Sequence, residues 1–332
     1  MTRCAVVGAG AWGTALSQIL ATAGHDVRLW AHEADVVESV NATHENRRFL
    51  AGARLDDAIR ASASLSDVLG GAELVTFVAP SHVLRDIARR GAPFVAAGAT
   101  IVVATKGIER GSLDIMTRVV EDELPGRDVV ALSGPSFAAE VAARQPTALV
   151  AAARRLAAAE CVQRAFSTDT LRVYTHDDIV GVELGGALKN VIAVATGIAE
   201  GLGLGFNPRA ALITRGLAEI TRLGVALGAS PLTFAGLAGI GDLVLTCTGA
   251  LSRNRAVGME VGKGTPLAQV LSGRETVAEG VTTTESAHAL AQREGVEMPI
   301  VRAVYRALFE GYPPRAAITE LMSRELRPEQ DR

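Results

Sequence analysis

Of the 33 basic residues in this chain only three are lysine: Lys106, Lys189 and Lys263. An ammonium can lose its proton when desolvated, whereas a guanidinium effectively cannot. A lysine kept in an arginine-rich chain therefore points to a place where a movable proton is wanted. Lys189 stands in Leu184-Gly-Gly-Ala-Leu-Lys-Asn-Val-Ile-Ala-Val, where its neighbours are almost all apolar or glycine. Such a lysine either snorkels to solvent or lines a cleft with a depressed pKa. In a cleft it would suit the reduction of a ketone, which needs a proton donor for the developing alkoxide. Lys106 follows the strand-like run Thr100–Ala104 in Thr105-Lys106-Gly107. Strand ends of this kind face the ligand crevice of an open α/β sheet, although a solvated loop lysine reads equally well. Lys263, in Gly-Lys-Gly, reads as a loop cation.

Further groups complete the picture. Gly239-Ile-Gly-Asp242-Leu-Val-Leu-Thr246 places one acid among apolar residues. Asp242 either caps a helix or pairs with Lys189, and Thr246 shares its face if the segment is helical. Ser252-Arg253-Asn254-Arg255 offers hydroxyl, guanidinium and amide donors within one turn, a set suited to phosphate, although such a run is also an ordinary solvated face. Near the N-terminus, Gly8-x-Gly10-x-x-Gly13 with Ala11 and Trp12 between the glycines follows an apolar run. In that position the glycines permit a tight turn, close approach of a pyrophosphate and close helix–strand packing, and the helix start offers free N–H groups to the anion. Ala11 has no side-chain hydroxyl, so any contact there is through backbone.

The elements that must hold these groups follow from periodicity. Strand-like runs at Arg3–Val7, His25–Trp30, Leu74–Val78, Thr100–Ala104, Val129–Leu132, Thr147–Ala152 and Leu171–Tyr174 alternate with helical stretches. That pattern predicts a mostly parallel sheet covered on both faces. Ser133-Gly134-Pro135-Ser136-Phe137 joins a strand end to a helix start, with Ser136 a candidate cap. Beyond Tyr174 the strand signals stop, and Asp178–Glu200 opens a run of helices. Asn207-Pro208, Ser230-Pro231 and Thr265-Pro266 each read as an N-cap followed by proline at the first helical position. The fold class is thus α/β: an N-terminal Rossmann-like dinucleotide-binding domain over residues 1–177, then an all-α substrate and catalytic domain over residues 178–332.

Where an NAD-selective site usually carries Asp or Glu, at the end of the second strand, this chain has Ala31 and His32, with Glu33 just beyond. The cofactor is therefore expected to be NADP or NAD, leaning to NADPH, with His32 near the adenosine ribose or its phosphate. The 332 residues carry a formal charge of −3, and no basic run marks a nucleic-acid binder. Cys4, Cys161 and Cys247 are too scattered for a disulfide framework or a zinc site. The glycines after Arg3 interrupt what would otherwise mimic a signal peptide, and no other segment offers an uninterrupted apolar stretch of about 20 residues. A cytoplasmic protein with no membrane insertion is expected.

Taken together and in order, Gly8-Ala-Gly-Ala-Trp-Gly-Thr-Ala-Leu, Ala-Thr-Lys106-Gly, Ser133-Gly-Pro-Ser-Phe-Ala, Leu188-Lys-Asn-Val, Arg209-Ala-Ala-Leu-Ile-Thr-Arg-Gly, Gly241-Asp-Leu-Val-Leu-Thr and Ser252-Arg-Asn resemble the NAD(P)-dependent glycerol-3-phosphate dehydrogenases of the bacterial type. The resemblance runs from residue 8 to about 300, with Pro208 standing where the family more often has a small residue. It implies reduction of dihydroxyacetone phosphate to sn-glycerol 3-phosphate for glycerophospholipid synthesis. It further implies that Lys189 is the proton donor and that Lys106 meets both substrate and cofactor. Asp242, Ser252, Arg253 and Asn254 would bind substrate, Arg253 also reaching the cofactor. Gly134 and Ser136 would contact substrate and border the cofactor site, which Trp12, His32, Ala138, Val277 and Glu279 would line. Asn190 and Thr246 are secondary candidates, and the family is commonly dimeric. The competing readings are a two-domain hydroxy-acid dehydrogenase of ketopantoate or β-hydroxyacid type, and a nonenzymatic NADP-sensing module.

Overall fold

Eight strands form one sheet: β1 (Arg3–Val7), β2 (Asp26–Trp30), β3 (Ile59–Ser62), β4 (Leu74–Phe77), β5 (Thr100–Val103), β6 (Val129–Ser133), β7 (Thr147–Ala152) and β8 (Leu171–His176). Their spatial order is β3-β2-β1-β4-β5-β6-β7-β8. The computed structural model describes residues 1–272, 278–326, 328 and 329. Every pairing is parallel except β6 with β7, which run antiparallel with Leu132 opposite Ala151. The apolar runs in the inner strands suit a sheet buried on both faces. Side chains of β1 alternate accordingly: Cys4 and Val6 enter one core, Ala5 and Val7 the opposite one.

Seven helices belong to this layer: α1 (Ala11–Thr22), α2 (Ala34–Thr43), α3 (Leu65–Leu69), α4 (Ser81–Gly91), α5 (Met116–Glu123), α6 (Ala138–Ala142) and α7 (Leu156–Phe166). After β8 come α8 (Ile179–Gly201), α9 (Phe206–Ala226), α10 (Asp242–Thr248), α11 (Arg253–Gly262), α12 (Leu267–Leu271), α13 (Glu279–Arg293), α14 (Pro299–Phe309) and α15 (Pro314–Met322). An α/β sheet domain followed by packed helices is the predicted class. Asp178 caps α8, its carboxylate accepting from the Gly181 N–H at 2.8 Å.

Three local expectations need correction. β3 was not expected from the sequence: its four residues, Ile-Arg-Ala-Ser, alternate buried and open at the sheet edge and carry little apolar signal. Of the three proline starts, only Ser230-Pro231 has the expected arrangement, and it begins a short 3-10 turn with no side-chain cap. Asn207 and Pro208 lie inside α9, whose cap is Gly205, and the residue before α12 is Pro266 itself. Lastly, α8 is long and apolar enough to cross a bilayer, with a mean hydropathy of 1.4. Yet 94% of that stretch is buried within the protein, wrapped by α9, α10, α11, α13 and α14. It is the central strut of the helical part, and its apolar surface is spent on neighbours rather than lipid.

Candidate active site

Lys106, Lys189 and Asp242 come from three distant parts of the chain and meet at one point. The β5 strand ends just before Thr105, whose hydroxyl donates to the Ala79 carbonyl at 2.7 Å and holds the following loop down. Lys106 then projects from the carboxyl end of the sheet. Its Nζ donates to Asp242 Oδ2 at 2.6 Å and faces the Gly134 carbonyl at 3.4 Å. Lys189, in the middle of α8, donates to Asp242 Oδ1 at 2.5 Å and to Thr246 Oγ1 at 2.8 Å. One carboxylate therefore spans two ammonium groups.

This cluster is almost closed to solvent: Lys189 is 7% exposed and Asp242 1%. Burial is the strongest influence on Lys189 and pushes its amine down to about 8, with Asp242 opposing and Lys106 reinforcing. For Asp242 burial acts upward, but Lys106 and Lys189 together outweigh it and hold the carboxyl below its usual range. Asp242 reaches the cluster because it opens α10 straight after a single π-helical turn, Leu237–Gly241. Its carboxylate makes no cap there, so the ion-pair alternative is the one the structure adopts. Thr246, one turn on, also donates to the Asp242 carbonyl at 2.7 Å. A desolvated amine with a depressed pKa, held by a carboxylate and a hydroxyl, is equipped to give or take a proton near neutrality.

The phosphate-type donors lie beside it. Ser252 is buried and caps α11, its Oγ accepting from the Arg255 N–H at 3.3 Å. Arg253 opens α11 with an exposed side chain that has no partner among the described residues. Asn254 donates to Asn190 Oδ1 at 2.8 Å and accepts from the Gly280 N–H at 2.9 Å, tying α8, α11 and α13 together. Glu279 is the first residue of α13, and its backbone carbonyl accepts from the Thr282 hydroxyl at 3.1 Å, while its carboxylate has no hydrogen bond among the described residues. Burial raises its carboxyl, against the pull of Arg253, Lys106 and Lys189. That pull places it among the same cations.

The glycine turn has the shape of a cradle for a dinucleotide. Gly8 has φ of +126° and lies against the backbone of Val78 and Ala79, so a side chain there has no room. Gly13 packs on the Gly8 carbonyl and Val78. By contrast nothing lies within 4 Å of where a Cβ on Gly10 would point. Gly10 heads α1 without a side-chain cap, leaving the N–H groups of Ala11, Trp12 and Gly13 outside the helix ladder. Trp12 Nε1 is buried with no hydrogen-bond partner among the described residues. An open space in front of free N–H groups, closed behind by two glycines, fits a pyrophosphate.

Other predicted residues fall around these two centres. Gly134, at the end of β6 with φ of +133°, accepts from Lys106 and, at 3.0 Å, from Ser136 Oγ. Ser136 does not cap α6, whose cap position is Phe137 without a side-chain bond. Ala138 opens α6 and packs against the same core as Ala11 and Trp12. His32 is exposed just beyond β2, its ring 6.3 Å from that of Trp30. Val277 lies outside the described residues. Sequence reasoning missed the Lys106–Asp242 ion pair and the Asn190–Asn254–Gly280 chain. No local signal announces either, since Lys106 and Asp242 are 136 positions apart.

Comparison with known proteins shows the family. Residues 3–159 match the family model for the NAD-dependent glycerol-3-phosphate dehydrogenase N-terminus, and residues 178–319 the model for its C-terminus. A protein of Geobacter sulfurreducens named as an NAD(P)+-dependent glycerol-3-phosphate dehydrogenase is 55% identical over 330 residues, 98% of either chain. A crystal structure of glycerol-3-phosphate dehydrogenase from Coxiella burnetii superposes with a TM-score of 0.94 at 40% identity, covering 97% of this chain and 99% of that one. A ketopantoate reductase from Ralstonia eutropha, 17% identical with a TM-score of 0.63 over 96% of this chain and 99% of that one, shares the fold alone.

Proposed function

The chain belongs to the NAD-dependent glycerol-3-phosphate dehydrogenase family, and from that footing we propose that it works as a reductase of dihydroxyacetone phosphate, with Lys189 as proton donor. It is an NAD(P)-dependent oxidoreductase acting on a CH–OH group. The observation that carries the finer reading is the Lys106–Asp242–Lys189 bridge, with Asp242 and Lys189 buried and Lys106 partly so. Reduced nicotinamide, when bound, supplies the hydride. Lys189 gives its proton to the ketone oxygen as negative charge grows there, and Lys106 faces the same oxygen with a second positive charge. Asp242 keeps both ammonium groups oriented, and Thr246 Oγ1 holds Lys189 from the other side. Arg253, with Ser252 and Asn254 beside it, grips the phosphate.

Residues Gly8, Gly10, Ala11, Trp12 and Gly13 would hold the cofactor's pyrophosphate, with His32, Ala138 and Glu279 along the rest of its length. The absence of a carboxylate at Ala31 or His32 supports a preference for NADPH, because neither of the two residues directly after β2 carries a negative charge to repel an added phosphate. The product, sn-glycerol 3-phosphate, would enter glycerophospholipid synthesis in the cytoplasm.

The test is to mix the protein with dihydroxyacetone phosphate and follow the loss of reduced-nicotinamide absorbance, NADPH and NADH in parallel. Lys189→Ala is expected to lower kcat by about 100-fold or more while leaving the Kd for NADPH nearly unchanged. Wild-type turnover in that variant removes Lys189 from the chemistry. No reaction by wild-type protein that binds NADPH shifts the substrate to a 2-oxo acid.

A further inference from the structure

Two arginines open α11 and are used in opposite ways. The Arg253 side chain is exposed and has no partner among the described residues. Arg255, two positions on, is engaged inside the protein through its Nε and Nη1, and its side chain is only 13% exposed. Its Nη1 donates to Glu200 Oε2 at 2.6 Å, and its Nε donates to the Gly249 carbonyl at 3.3 Å. Glu200 stands at the end of α8 and also accepts from Arg209 of α9 at 2.8 Å. The Gly249 carbonyl takes a second bond, from the Ser252 N–H at 3.2 Å, which closes the turn Gly249–Ser252. The backbones of α8 and α11 touch alongside: a Cβ on Gly197 would strike the Arg255 carbonyl, and one on Gly258 the Val194 carbonyl. The helix body is thus locked by packing. The turn in front of it is held by Arg255 from one side and by the Phe137 ring, against which Gly249 lies, from the other.

We propose that Arg255 is a positioning residue: a forked brace between Glu200 and the Gly249 carbonyl that sets the turn from which Ser252, Arg253 and Asn254 meet the substrate's phosphate. The inference rests on the phosphate site described above. A guanidinium suits the task because its planar fork serves two acceptors in different directions, whereas an ammonium on a flexible stem is a point charge. Arg209 shares Glu200 and keeps its carboxylate aimed when substrate loads the turn.

The decisive experiment compares Arg255→Ala, Arg255→Lys, Glu200→Gln and, in parallel, Arg253→Ala. Readouts are KM and kcat for dihydroxyacetone phosphate, the Kd for NADPH, and turnover of dihydroxyacetone at high concentration, a ketone with no phosphate to place. Arg255→Ala is expected to raise KM for the phosphate ester by about 10-fold, with kcat and NADPH binding within about 3-fold of wild type. Turnover of the phosphate-free ketone is expected to stay within about 2-fold. Arg255→Lys should fall between, keeping the Glu200 contact and losing the Gly249 one. Should Arg255→Ala fail to fold, Arg255→Lys and Glu200→Gln carry the test through the same KM shift at near-native Tm. An unchanged KM in folded Arg255 variants, or an equal loss on both ketones, overturns the brace. If Arg253→Ala also leaves KM unchanged, the phosphate reading itself falls.

Discussion

Asp242→Asn removes the single negative charge between the buried Lys189 ammonium and the partly buried Lys106 ammonium while keeping the side chain's size. In the native protein the carboxylate oxygens lie 2.5 Å from Lys189 Nζ and 2.6 Å from Lys106 Nζ. At an effective dielectric constant near 20, a charge pair at about 4 Å contributes roughly 4 kcal/mol. At 1.36 kcal/mol per pKa unit, losing an interaction of that order lowers the Lys189 pKa by more than one unit. Lys189 stands at about 8 with Asp242 present, so the variant is expected to titrate well below that. Reduction consumes the ammonium proton, so kcat/KM should fall as pH rises through the Lys189 pKa. Wild type is expected to decline above pH 8 or so, and the variant at clearly lower pH, leaving only a minor fraction of the donor form at pH 7. The assay is the pH profile of kcat/KM for dihydroxyacetone phosphate from pH 5 to 9, with the NADPH Kd measured at each point to show that the site is intact. A variant whose limb stays near pH 8 would refute the reasoning, because Asp242 would then have no hold on the Lys189 proton.

Other perturbations separate folding from function. Gly10→Ala adds a methyl into open space, so its stability should change by about 1 kcal/mol or less, while the Kd for NADPH rises by about 10-fold or more because the pyrophosphate loses its approach. Equal NADPH affinity in that variant would move the pyrophosphate elsewhere. Glu183, buried in α8, accepts from the Thr117 N–H at 2.9 Å and from the Thr117 hydroxyl, and burial pushes its carboxyl up to about 8. The folded state then holds a proton that the unfolded chain releases near 4.5, so this contribution is full below pH 4.5 and is lost as pH rises to about 8. Tm of wild type should therefore fall across that window relative to Glu183→Gln, measured by thermal scans at fixed ionic strength; parallel curves would contradict the protonated state.

Much of the molecule was legible from local pattern. The glycine turn, the succession of strands and the change to helices after β8 each announce themselves within a few residues, because periodicity and turn chemistry act locally. Lys189 stood out by its type and its apolar neighbours, and Asp242 by being a lone acid in an apolar stretch. Cap signals were weaker guides: Asn207-Pro208 has the composition of a helix start but is absorbed into α9, which begins one residue earlier at the exposed Phe206, behind Gly205. Edge strand β3 was hidden for the opposite reason, as a four-residue strand half open to solvent needs little apolar sequence.

What this sequence determined by itself is the inventory: a dinucleotide turn, an arginine-rich chain with lysine at two strategic places, and a long apolar helix around which the rest must pack. The tertiary structure decided the partnerships. It gave Asp242 to both lysines rather than one, left the Arg253 side chain without a hydrogen-bond partner among the described residues while committing Arg255 to Glu200 and Gly249, and turned Asn254 into a tie between α8 and α13. Most of those choices depend on contacts between distant parts of the chain: Arg255 and Glu200 are 55 residues apart, and Lys106 and Asp242 are 136 apart. Side chains so far apart leave no mark on one another's local sequence, and only the folded backbone brings their charges within reach.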